Sequence, residues 1–228
     1  MTRTTNARIA SVTFLLYIAA GITSLTLSAG ATRGAGTAAK LAGIAQHATD
    51  MRVVVVLSVL TSFCALVLGV TLYAITREQD RDLAMLALIC RVVEGIPSVS
   101  GELGLLWLVT ASEAKALDTG AAHALGEFLL RPAGGTAAIF FAVGSTLFSW
   151  LLLRGRMIPV GLAWLGVVAS VLLVVILPLQ LAGLLGGPMG WTGAVTWAIW
   201  FPMLVFEVVF ALWLLVKGVA PPRSTRPT

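Results

Sequence analysis

Six long apolar stretches, separated by short polar ones, dominate the chain: about 9–29, 52–76, 83–110, 136–153, 158–186 and 192–217. Each reaches or approaches the ~20 residues that an α-helix needs to cross the hydrocarbon core of a bilayer. Helical structure follows from the medium, because lipid offers no partner for an unpaired backbone amide. The pattern predicts an all-α, polytopic membrane protein. A single bundle of six transmembrane helices occupies residues 1–219, and a disordered tail, rich in Pro and Arg, follows at 220–228.

The connections divide into two kinds. Arg77-Glu78-Gln79-Asp80-Arg81-Asp82 is a tight charged turn. Two longer segments, 30–51 and 111–135, fall on the opposite side and are placed over the mouth of the bundle. The second predicts a short helix with Ser112 as its N-cap and a break at Pro132-Ala133-Gly134-Gly135.

Composition strengthens this picture. Of 228 residues, 58% are hydrophobic and 11% charged, against about 25% charged in a soluble domain. The net charge of +5 is explained by position and implies no nucleic-acid partner. Arg3, Arg8, Arg77, Arg81, Arg154, Arg156, Lys217, Arg223 and Arg226 share the side of the N-terminus, while Arg33, Lys40, Arg52, Lys115 and Arg131 lie on the other. Nine basic residues against five predict cytoplasmic termini in a multi-pass protein of the bacterial inner (plasma) membrane. A cleaved signal peptide ending near Ala29-Gly30-Ala31 is the competing account of the first span; it would leave the C-terminal basic cluster outside. Cys64 and Cys90 both fall within spans and read as small buried residues.

One stretch breaks the apolar pattern. Arg91, Glu94, Ser98 and Glu102 lie inside the third span at spacings of 3, 4 and 4, which places them within an arc of about 80° on a helix. Ionisable groups at membrane depth are costly, turn inward, and mark functional sites by default. Arg91 and Glu94 can pair across one turn. A carboxyl withdrawn from water favours its protonated form and can then act as a general acid. Pro97 lies between the two acids, with Pro178 and Pro202 inside other spans; each removes a backbone donor and bends its helix.

The segments KLAGIAQHATDMRVVVVL (40–57), LYAITREQDRDLAMLALICRVVEG (72–95), RGRMIPVGLAWLG (154–166) and FEVVFALWLLVKGV (206–219) resemble a large family of bacterial six-span membrane proteins, domain-of-unknown-function family 4386. The resemblance runs from about Arg8 to Val219. It is carried chiefly by the Arg91–Glu94 pair, the Gly155-to-Pro159 turn and the closing Glu207 to Lys217-Gly218 stretch. It implies the six-span architecture and no particular activity. Glu102 and the density of tryptophan near the C-terminus depart from the family pattern.

Two further constellations bear on chemistry. Trp197, Trp200, Phe201, Leu204 and Glu207 recur on one broad face of the sixth span, where rings beside an acid would stabilise positive charge. Trp107 is a further candidate for that lining, although tryptophans also form interfacial belts. His123, Glu127 and Arg131, spaced four apart, form a solvated ladder or part of a mouth. No HxxxH, HExxH, GxSxG, Walker or dinucleotide pattern occurs, so neither a metal site nor a cofactor is expected.

These features lead to an expected function: an embedded enzyme that cyclises or isomerises a lipophilic, terpenoid-like substrate by acid initiation. Glu94, Glu102, Glu207 and Arg91 would be catalytic, and Ser98, Trp107, Trp197, Trp200 and Phe201 would bind substrate. The alternatives are a proton-coupled small-molecule transporter, which without an internal repeat would work as a homo-oligomer, and a non-catalytic assembly or sensor protein.

Overall fold

The computed structural model describes residues 2–113, 118–130, 134–185 and 193–221. For residues 97–99, 112, 113, 119, 134 and 135 it describes the backbone alone. The described residues form helices α1 (Arg3–Ala31), α2 (Thr37–Gln46), α3 (Ala48–Thr76), α4 (Arg81–Glu113), α5 (Thr119–Leu129), α6 (Gly134–Arg154), α7 (Val160–Leu181) and α8 (Ala194–Val216). Six of them, α1, α3, α4, α6, α7 and α8, are long and apolar enough to cross a membrane. The chain is a multi-pass membrane protein, as the apolar pattern predicts.

The six long helices form a closed ring. Each packs on its predecessor and successor among the six, and α8 closes the circle against α1. Successive long helices run in opposite directions, so both ends of the chain meet one face, here called the terminal face. That face is tied by Arg3 to Glu78 at 2.6 Å, by Arg154 to Asp80 at 3.7 Å, and by the Ala220 amide donating to the Met157 carbonyl at 2.9 Å. The seam between α1 and α8 is clasped by Ser11, whose hydroxyl donates to the Ala211 carbonyl at 2.8 Å, and by an edge-on contact of Phe14 with Phe210.

Local chemistry sets the helix ends. Thr2 caps α1 through the Thr5 amide, and Asp80 caps α4 through the Leu83 amide. The fifth span stops at Leu181 instead of reaching 186, because Gly183 adopts φ 71° and reverses the chain after the last turn. Ser112 does not cap the helix expected in 111–135. The third span continues through Glu113, and α5 begins at Thr119 with Asp118 as its cap, accepting from the Ala121 amide at 2.8 Å.

The short helices α2 and α5 lie at the far face, opposite the termini. They pack on one another closely enough that a Cβ on Gly126 would lie 2.7 Å from Leu41. Beneath them Ala31, Ile44, Met51, Val54, Leu105 and Val109 form a small apolar cluster separate from the main core. His123 and Glu127 are exposed on α5; Arg131 lies outside the described residues.

A candidate ion-pair centre inside the ring

The polar stripe of α4 turns into the ring. Arg91 is 1% exposed and Glu94 5%. Arg91 Nη1 donates to Glu94 Oε2 at 2.9 Å and to Oε1 at 3.3 Å. Nη2 donates to Ser145 Oγ on α6 at 3.3 Å, and the guanidinium lies 4.8 Å from the centre of the Phe141 ring. Phe141 is in turn stacked on Trp200 of α8, with centroids 5.6 Å apart. Tyr17 of α1 donates its hydroxyl to Glu94 Oε1 at 2.7 Å. Small residues make room for the long arginine: Gly69 of α3 and Gly144 of α6 both abut it, and Cβ atoms there would meet Arg91 Cβ at 3.1 Å and Cγ at 3.8 Å.

Glu207 enters from α8, across the ring from α4. It is 6% exposed, and its Oε1 has no hydrogen-bond partner; Arg91 Nε is equally without one. Arg91, Ser145, Ser149 and Glu207 line one cavity together with Phe14, Phe148, Leu152 and Phe210. Its volume is about 10 Å³, room for roughly one water molecule. The cavity thus holds one guanidinium, paired with Glu94, and beside it a second buried carboxyl group that it does not contact. A second ionised carboxylate would leave an uncompensated charge in a low-dielectric interior, which costs heavily.

The structure therefore brings together three of the four expected catalytic residues. Glu102 stands apart, eight residues beyond Glu94 on α4, or about 12 Å along the axis. It is half-buried with an unpartnered Oε2. The Ser98 side chain lies outside the described residues.

The expected aromatic lining is corrected in its orientation. The interior face of α8 is formed by Thr196, Ile199, Met203, Phe206, Glu207, Phe210, Ala211 and Leu214, an arc of about 140°. Trp197 and Phe201 fall beyond that arc and are 50% and 60% exposed; Trp107 on α4 is 59% exposed. They face the surroundings of the ring, as residues of a lipid-contacting surface do. Trp200, half-buried near one edge of that arc, is the aromatic of the expected set that backs the site. Phe206 and Phe210, stacked at 5.3 Å, wall the cavity instead.

Two participants were not singled out in the sequence. Tyr17 carries one of only two tyrosine hydroxyls in the chain and sits mid-span, away from the interfaces where tyrosine is usual; that was the available signal. Ser145 follows Gly144 in a tight helix crossing, and nothing in its local sequence distinguishes it from other serines.

Comparison with protein families matches residues 9–218 to the domain of unknown function DUF4386. Comparison with curated proteins and with solved structures finds no match.

Proposed function

We propose, for a chain that belongs to the DUF4386 family, that it is a proton-coupled carrier whose exchangeable proton resides on Glu207. The observation that carries this reading is a second buried carboxyl, Glu207, which keeps an oxygen without a partner and lines the same cavity as Arg91, itself paired with Glu94. With Glu207 protonated, Arg91 and Glu94 neutralise one another and the interior carries no net charge. Loss of that proton makes Glu207 a competitor for the guanidinium, and Tyr17 remains to hold Glu94 by a hydrogen bond. Arg91 Nε and the Ser145 and Ser149 hydroxyls adjoin the same cavity, so one water there could link Glu207 to the pair. Pro202 lies five residues before Glu207 in α8, where a missing amide donor eases bending. The excess of basic residues at the terminal face supports a cytoplasmic position for it.

Carbodiimide modification tests the proton site. N,N′-dicyclohexylcarbodiimide adds to protonated carboxyls in apolar surroundings. Peptide mass analysis should find Glu207 modified, less so as pH is raised, and Glu207→Gln should abolish the label. A Glu207 that stays unmodified at every pH rejects the reading. Coupling is tested in vesicles loaded with a pH-sensitive dye and challenged with pools of small solutes. Solute-dependent proton movement should be lost in Glu207→Gln.

A second reading, acid-initiated cyclisation or isomerisation of a terpenoid-like substrate, is favoured by the Phe141–Trp200 stack beside the buried acids. It requires the ring to open, since sites for such molecules occupy about 300 Å³ or more. Conversion of a prenylated epoxide by purified protein, lost in Glu94→Gln and Glu207→Gln, is its test.

A further inference from the structure

We infer that the ring holds a second polar station, on the far-face side of the ion-pair centre, in which Glu102 of α4 and Gln180 of α7 bind water that admits protons from that face. Its role in proton delivery rests on the reading of Glu207 as the exchangeable site; its existence does not.

Gln180 is 3% exposed, and neither its amide nitrogen nor its amide oxygen has a hydrogen-bond partner. Glu102 Oε2 is also buried without one. Buried polar atoms in native proteins are almost always paired, with protein or with water. Three orphaned atoms, on two helices, call for a ligand that both donates and accepts.

Their depth is shared. At 1.5 Å per residue, Glu102, Gln180 and the buried Thr196 of α8 each stand roughly 30 Å from the terminal-face end of their helix, whereas Arg91, Ser145 and Glu207 stand roughly 14 Å from theirs. Their direction is shared as well. Glu102 lies about 20° from Arg91 around the α4 axis, on the side that faces into the ring. Gln180 continues the buried row of Ser170, Leu173 and Leu177 on α7, and Thr196 begins the buried row of α8.

The chemistry selects water. An amide supplies one donor group and one acceptor, and a carboxyl supplies acceptors or, when protonated, a donor. A small molecule with two donors and two acceptors satisfies such a set in either protonation state. On the terminal-face side of the centre the cavity is lined by Phe148, Leu152 and Phe210 beside Ser149. Among the described residues, the buried side-chain atoms left without a partner outside the centre are those of Glu102 and Gln180, on its far-face side, and they mark the polar route from Glu207.

Cysteine accessibility tests the station. In a Cys64→Ala, Cys90→Ala background, Gln180→Cys and Glu102→Cys are placed in oriented vesicles. The membrane-impermeant cation 2-(trimethylammonium)ethyl methanethiosulfonate is then added to one face at a time. Both cysteines should react from the far face, and Phe148→Cys should not. Cysteines that do not react, or that react from the terminal face, overturn the proposal. Hydroxyl-radical footprinting of the unaltered chain guards against misfolded variants. Oxidation at Leu177 and Gln180, both otherwise buried, reports adjacent bound water, and its absence also overturns the station. Should the cysteines react while Glu207 resists carbodiimide, the station stands and the proton-carrier reading falls. The reverse result leaves the carrier without this route.

Discussion

Tyr17 and Glu94 are joined by a 2.7 Å hydrogen bond between α1 and α4, two helices that do not pack against each other and are separated in the ring by α3. The phenol therefore spans the interior, and Glu94 is held from two sides, by Arg91 on its own helix and by Tyr17 across the bundle. A hydrogen bond to a charged group contributes about 1.5–3 kcal/mol. Tyr17→Phe keeps the ring and its packing and removes only that donor. It should lower the unfolding free energy by about 1–2 kcal/mol, read by denaturation in mixed micelles. A variant that unfolds like the parent would show that the bond contributes nothing net.

Arg91 and Glu94 should behave as a unit. Removing one member of a buried pair strands the other in an apolar interior, at a cost of about 3–5 kcal/mol, whereas replacing both is far milder. Arg91→Gln and Glu94→Gln should each destabilise strongly. The double variant should be more stable than the sum of the two predicts. The Arg91 variant should suffer more, because it leaves two carboxyl groups, Glu94 and Glu207, around an empty position. Strict additivity in the double-mutant cycle would mean that the pair is not coupled.

The contact of α7 with its neighbours depends on a missing side chain. A Cβ on Gly166 would lie 2.6 Å from two ring carbons of Phe206 and 2.7 Å from Ser149 Oγ. Phe206 is held by its stack on Phe210 and lines the central cavity, so it has little room to retreat. Overpacking of this kind costs about 1–3 kcal/mol. Gly166→Ala should be destabilised within that range. Gly161→Ala on the same helix, with nothing within 4 Å, should be neutral or gain up to about 1 kcal/mol from helix propensity. Equal melting of the two variants would contradict the packing described.

The number of spans was legible in the sequence because a membrane helix announces itself by composition and length. The Arg91–Glu94 pair and Glu207 were legible because a charge inside a span has no cheap explanation. Rotation of the helices was much harder to read. In a soluble bundle the polar face of each helix marks the outside, but α8 carries only Thr196 and Glu207 as polar residues and is otherwise apolar on all sides. Nothing in its sequence distinguishes Trp197 and Phe201, which face outward, from Phe206 and Phe210, which face the cavity. Tyr17 and Ser145 escaped for a related reason. Their roles exist only once the ring has closed and brought α1 and α6 around the arginine. The end of α7 was misjudged because apolar residues continue past Gly183 while its backbone has already turned.

The outward orientation of the α8 aromatics has a measurable consequence. Trp197 and Phe201 contribute surface to the exterior of the ring, whereas Phe206 and Phe210 are 3% and 1% exposed and wall the cavity beside Glu207. Truncating a well-packed buried ring costs about 3–5 kcal/mol, while surface substitutions usually stay within about 0.5 kcal/mol. Trp197→Ala and Phe201→Ala should therefore unfold close to the parent and leave carbodiimide modification of Glu207 unchanged. Phe206→Ala and Phe210→Ala should be destabilised and should alter that modification, since each enlarges the space around the carboxyl. A large effect at Trp197 or Phe201 with none at Phe206 would mean that α8 is rotated by about one residue from the arrangement described.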